Sequence, residues 1–121
     1  MKKIFEKSLK IIGLMEQEQV AVMEFIQYNI SYFSDIPLSS LIAPECRNCN
    51  DYEESSYIFL IGSYIYFSIY HNPVTWFERR RFAVFKDAEY EELFRKTLCC
   101  NVNNRFDCIS DLKEKIENFL K

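Results

Sequence analysis

From Ser55 to Phe77 the chain carries no Asp, Glu, Lys or Arg, and the gap closes abruptly on Glu78-Arg79-Arg80-Arg81. An uncharged stretch of that length followed by a basic cluster fits only a few structures. It can span a membrane, or it can form the strands of a small sheet. A spanning helix needs roughly 20 predominantly apolar residues. This stretch contains Ser63, Ser68, His71, Asn72, Pro73 and Thr75, and Pro73 sits where a helix would have to continue. The basic cluster imitates a positive-inside flank, but the clean part, Tyr57 to Tyr70, is short for a span. Its Tyr, Ile and Phe content suits a pleated surface.

Gly62-Ser63 lies between two β-rich runs and has the form of a two-residue hairpin turn. That turn would pair Ile61 with Tyr64, Leu60 with Ile65 and Phe59 with Tyr66. Residues opposite one another share a face. An aliphatic face (Ile58, Leu60, Ile65, Phe67, Ile69) would separate from a tyrosine face (Tyr57, Phe59, Ile61, Tyr64, Tyr66, Tyr70). His71-Asn72-Pro73 makes the next turn, and Val74 to Phe85 a third strand.

Helices are expected on both sides. Phe5, Leu9 and Ile12 recur at helical spacing, and Gly13 marks the end of that first helix. A second helix fits Glu16 to about Phe33, striped by Val20, Met23, Ile26 and Ile30. Ser34-Asp35 caps a short turn that Ala43-Pro44 ends. Asp87 opens a third helix to about Leu98, with Tyr90, Leu93, Phe94 and Leu98 inward. Cys99 to Asp107 reads as an irregular, Asn-rich connection. A last helix runs from Ser110, its cap, to Leu120, with Leu112, Ile116, Phe119 and Leu120 as its stripe. The expected architecture is a single α+β domain over residues 1–121. A three-stranded antiparallel meander at about 56–86 packs with two N-terminal and two C-terminal helices.

At 121 residues with 49% hydrophobic composition, one core can be built without staples. The net charge is −3, which argues against a nucleic-acid partner, since such binding is driven by phosphate neutralisation. Arg79-Arg80-Arg81-Phe82 interleaves bases with an aromatic, but on a strand Arg80 faces away from its neighbours. The basic start Met1-Lys2-Lys3 is followed by Glu6, Lys7 and Lys10, which interrupt any signal-peptide core. The expected location is the cytoplasm, with five Cys held as thiols.

Catalytic motifs are absent. Cys46-Arg47-Asn48-Cys49 has the spacing of a zinc half-site, but there is no second Cys-x2-Cys to complete it. No metal and no cofactor are therefore assigned, with a zinc-stabilised module built on Cys46 and Cys49 as one alternative. A small Cys-dependent enzyme is another, and would have to recruit the lone His71 from a turn. No Gly-rich phosphate loop can be built from two isolated Gly residues.

The best candidate site is acidic. Residues 34–56 hold five acids against one Arg, and Glu45, Asp51, Glu53 and Glu54 with Tyr52 form a loop. Such a loop can steer toward a basic surface and anchor there. In size, charge and lack of motifs the chain is similar in character to the immunity proteins that neutralise bacterial toxins. That resemblance implies a non-catalytic inhibitor that blocks one basic protein partner, such as a toxin nuclease, through an acidic surface. An open tyrosine face on the sheet would in addition demand a partner or a second copy.

Overall fold

The structure, a computed structural model, describes residues 2–16, 43, 53–70, 88–99 and 101–121. Among them are four α-helices and no strand: α1 (Lys2–Met15), α2 (Glu54–Tyr70), α3 (Ala88–Arg95) and α4 (Ile109–Phe119), with a 3-10 turn at Val102–Asn104. The α+β class is thereby overturned. The two runs expected as the first strands of a meander at about 56–86 are one continuous 17-residue helix, and Gly62-Ser63 lies in its middle. The expected third strand, the Arg79–Arg81 cluster and His71 lie outside the described residues. So do the helix expected after Glu16 and the turn around Ser34-Asp35.

The physical reason is burial on every side. In α2 each residue from Ser56 to Phe67 is buried. A helix enclosed all round shows no amphipathic stripe, so neither a 3.6-residue nor a 2-residue period marks it. Its Tyr, Ile and Phe content favours strands only as a weak prior that packing overrides. At 1.5 Å per residue α2 is about 26 Å long, short of the ~30 Å hydrocarbon core of a bilayer. No described helix is long and apolar enough to cross a membrane.

Three helices pack on this axis. α1 and α4 lie against α2 and against each other, and α3 closes on α2 from another side. α1 buries Phe5, Ser8, Ile11 and Ile12, and the Ser8 hydroxyl donates to the Ile4 carbonyl at 2.8 Å. The helix continues past Gly13 to Met15, so Gly13 does not terminate it. α3 buries Tyr90, Leu93 and Phe94 and ends at Arg95, short of the expected Leu98, which is buried in the segment beyond it. α4 buries Ile109, Leu112 and Ile116, while Phe119 and Leu120 are half-buried at its end.

Aromatic rings connect all four helices. Phe5 of α1 stacks on Phe119 of α4 at 4.9 Å. Tyr90 of α3 meets both, at 5.9 and 5.4 Å. Phe94, one turn on, sits edge-on to Tyr66 of α2 at 5.3 Å. Tilted and edge-to-face pairs of this kind add about 0.5–1.5 kcal/mol each beyond their burial.

Gly62 has a reason that no hairpin supplies. A Cβ at this position would fall on the Thr97 hydroxyl and Cβ, and within 3.3 Å of a Leu98 methyl. The missing side chain lets the segment after α3 pack directly against the backbone of α2. Thr97 is fixed there by its own hydroxyl, which donates to the Leu93 carbonyl at 2.8 Å.

Candidate functional site: an acidic junction of two helix N-termini

The first turn of α2 starts from Glu53, whose carbonyl accepts from the Ser56 and Tyr57 amides at 3.0 and 3.2 Å. Its side chain is exposed. Glu54 follows in the first helical turn, where the helix dipole favours a carboxylate. The Glu54 Oε2 also accepts the Ile109 amide at 3.2 Å. Ile109 is the first residue of α4, and the residue in the capping position before it, Cys108, makes no side-chain cap bond. One carboxylate therefore serves the N-termini of two helices that are 55 residues apart in the chain. Ser110, the expected cap of the last helix, is instead an exposed residue of its first turn.

This contact gathers acids from two parts of the sequence. Asp107 and Asp111 lie two residues on either side of Ile109, and both are exposed. Glu53 and Glu54 thus stand at the start of α2, and Asp107 and Asp111 flank the start of α4 in the chain. Of the acidic candidates read from the sequence, Glu53 and Glu54 are placed here. Glu45, Asp51 and Tyr52 lie outside the described residues. Asp107 and Asp111 were missed, because nothing in their local sequence links them to Glu54.

Beneath the junction lies a buried cation. Arg105 is 4% exposed. Its Nε donates to the Cys99 carbonyl at 2.8 Å and its Nη1 to the Ser55 carbonyl at 3.0 Å. The guanidinium also sits 5.0 Å from the Phe59 ring centre. These bonds tie the first turn of α2 to the connection between α3 and α4. In the sequence Arg105 falls in an irregular, Asn-rich connection. No periodicity distinguishes a buried loop arginine from a solvated one.

A second electrostatic link lies on the surface. Glu92 of α3 meets Lys115 of α4 at 3.2 Å and Lys96 at 3.4 Å. The hydrogen bond and charge of Lys115, then those of Lys96, hold the Glu92 carboxyl below the usual carboxylate range. In the core, burial raises the Tyr64 hydroxyl above the ordinary tyrosine value, against the opposing effect of the Ser68 hydrogen bond.

Among the described residues no three His, Cys, Asp or Glu side chains come together to hold a metal ion. Cys99 is buried and Cys108 half-buried, both as free thiols. The Cys46-Cys49 pair lies outside the described residues. Comparison of the chain with protein-family models, with curated proteins and with solved structures found no match.

Proposed function

We propose that this chain is a small non-catalytic inhibitor of one basic protein, such as a toxin nuclease, acting in the cytoplasm in the manner of an immunity protein. The supporting observation is the junction itself. Exposed carboxylates flank two helix N-termini that the Glu54–Ile109 bond joins, and the acidic stretch from Glu45 precedes them in the sequence. A rigid scaffold and a charged surface suffice for a protein that only has to cover another's active site. Carboxylates so arranged imitate the phosphates that a nuclease binds, and they steer a basic partner before contact.

The test is affinity capture with the tagged full-length chain from the cells that express it, with mass spectrometry and metal analysis of the same eluate. One basic protein at equal stoichiometry is expected. Its capture should weaken as salt is raised, and it should be lost in a chain carrying Asp51→Lys, Glu53→Lys and Asp107→Lys. Glu54 is left intact, because its carboxylate caps α4. Capture that survives the charge reversal overturns the reading. So does the absence of a partner with about one zinc per chain, which would point to a module built on Cys46 and Cys49.

A further inference from the structure

Two contacts join the start of α2 to the segment that leads into α4. The Glu54 carboxylate accepts the Ile109 amide at 3.2 Å, and the Ser55 carbonyl accepts from Arg105 Nη1 at 3.0 Å. The two acceptors are adjacent residues of α2, and the donors are four positions apart in the other segment. Together with the backbone between them, the contacts close a ring through Glu54, Ser55, Arg105 and Ile109.

The two contacts differ in what holds them. Glu54 is an exposed side chain, so water competes for its carboxylate. Arg105 is buried, and a guanidinium taken out of water must keep its donors satisfied. Its Nε and Nη1 bonds go to main-chain carbonyls, those of Cys99 and Ser55, so it fixes backbone. Its guanidinium also lies over the ring of Phe59, one turn on from Ser55. A planar fork can hold two carbonyls in fixed, different directions, which a lysine ammonium on a flexible stem does not reproduce. The connection that carries Arg105 is anchored in turn. The Phe106 amide donates to the Lys96 carbonyl at 2.8 Å, and Thr97 and Leu98 are buried against Gly62. Arg105 therefore links a fixed connection to the first turn of α2, four residues before α4 begins.

We propose that Arg105 is a positioning residue for the acidic junction. By holding the Ser55 carbonyl, it keeps the start of α2 where the Glu54 carboxylate reaches the Ile109 amide. Its importance for a partner rests on the inhibitor reading, under which the loss of Arg105 weakens capture although every carboxylate remains.

Amide hydrogen exchange of the full chain, followed residue by residue, tests this in Arg105→Lys, Glu54→Ala and the double variant. Exchange at Ile109 is compared with exchange at Ile116, which reports the opening of α4 as a whole. Arg105→Lys should speed exchange at Ile109 relative to Ile116 by about tenfold, the effect of losing one hydrogen bond to a charged group. The double variant should exchange no faster at Ile109 than Glu54→Ala alone, because Arg105 acts through a cap that is already gone. Effects that multiply in the double variant overturn the proposal, and so does an Ile109 that keeps pace with Ile116 in Arg105→Lys. If Arg105→Lys does not fold, the same coupling is read in reverse, since coupling is reciprocal. Glu54→Ala should then speed exchange of the Arg105 Nε–H, and an unchanged Nε–H overturns the proposal. Affinity capture separates this inference from the inhibitor reading. Arg105→Lys with a loosened Ile109 should capture the basic partner on the order of tenfold less well. Unchanged capture from that chain leaves the positioning role standing and overturns the acidic contact with the partner.

Discussion

α2 and α4 pack against each other, and they were written by different rules. α4 is amphipathic. Leu112 and Ile116 turn inward while Asp111, Lys113, Glu114 and Glu117 stay in water. α2 has no outside along most of its length, since twelve consecutive residues are buried. The comparison shows what a hydrophobic pattern records. It records the boundary between core and solvent, and where an element meets no solvent there is no pattern to read.

The contrast has measurable consequences. Phe59→Ala in α2 removes a fully buried ring and the surface beneath Arg105, and should cost about 3–5 kcal/mol in urea unfolding. Phe119→Ala, at the half-buried end of α4, should cost clearly less. Equal losses would mean that α2 is not the central element.

Glycine substitutions should diverge in sign. Gly62→Ala pushes a methyl group into Thr97 and should destabilise by about 1–3 kcal/mol, the usual range for overpacking. Gly13→Ala finds nothing within 4 Å of the new Cβ, and should stabilise α1 by about 0.5–1 kcal/mol. If both substitutions stabilise, the close approach at Gly62 is wrong.

Glu54→Ala removes the cap on Ile109 and should cost about 1 kcal/mol. Hydrogen exchange should speed up in the first turn of α4 more than in its last turn. Uniform exchange along the helix would refute capping from α2.

A smaller effect is pH-dependent. The folded-state value of Tyr64 is raised, so its contribution is fully present below the unfolded tyrosine value of about 10. It is lost as pH rises through the folded value, because only the unfolded chain then gains by ionising. Tyr64→Phe should therefore flatten the alkaline fall in stability. An unchanged alkaline limb would show that Tyr64 is not desolvated.

Smallest is Glu92, whose folded-state value is lowered. Its contribution is present above the unfolded glutamate value of about 4.3 and is lost as pH falls through the folded one. The group is exposed, so Glu92→Gln should cost no more than about 0.5 kcal/mol near neutrality. That difference should vanish in acid and in high salt.

Much of the outer shell was legible. Tyr90, Leu93, Phe94 and Leu98 were recognisable as an inward face, and so were Leu112 and Ile116, because each set recurs at helical spacing against charged neighbours. Phe5 and Ile12 were equally clear. The error fell on α2. Gly62-Ser63 reads as a turn because glycine between β-rich runs often is one. Here the glycine answers to Thr97, a neighbour 35 positions away. The acidic candidates Glu53 and Glu54 were visible as a charge cluster, but the double role of the Glu54 carboxylate was not. Capping is usually sought within four residues of a helix start, whereas this cap arrives from another helix.

The sequence by itself determined which residues would be apolar and where the outer helices would turn their faces, because amphipathic periodicity is a local property. It also determined the negative charge and the uncharged centre. Only the tertiary structure decided that the centre is a helix and that Glu54 joins two helix starts above a buried Arg105. Those outcomes depend on enclosure by α1, α3 and α4 and on contacts between distant segments, and neither leaves a local trace in the order of residues.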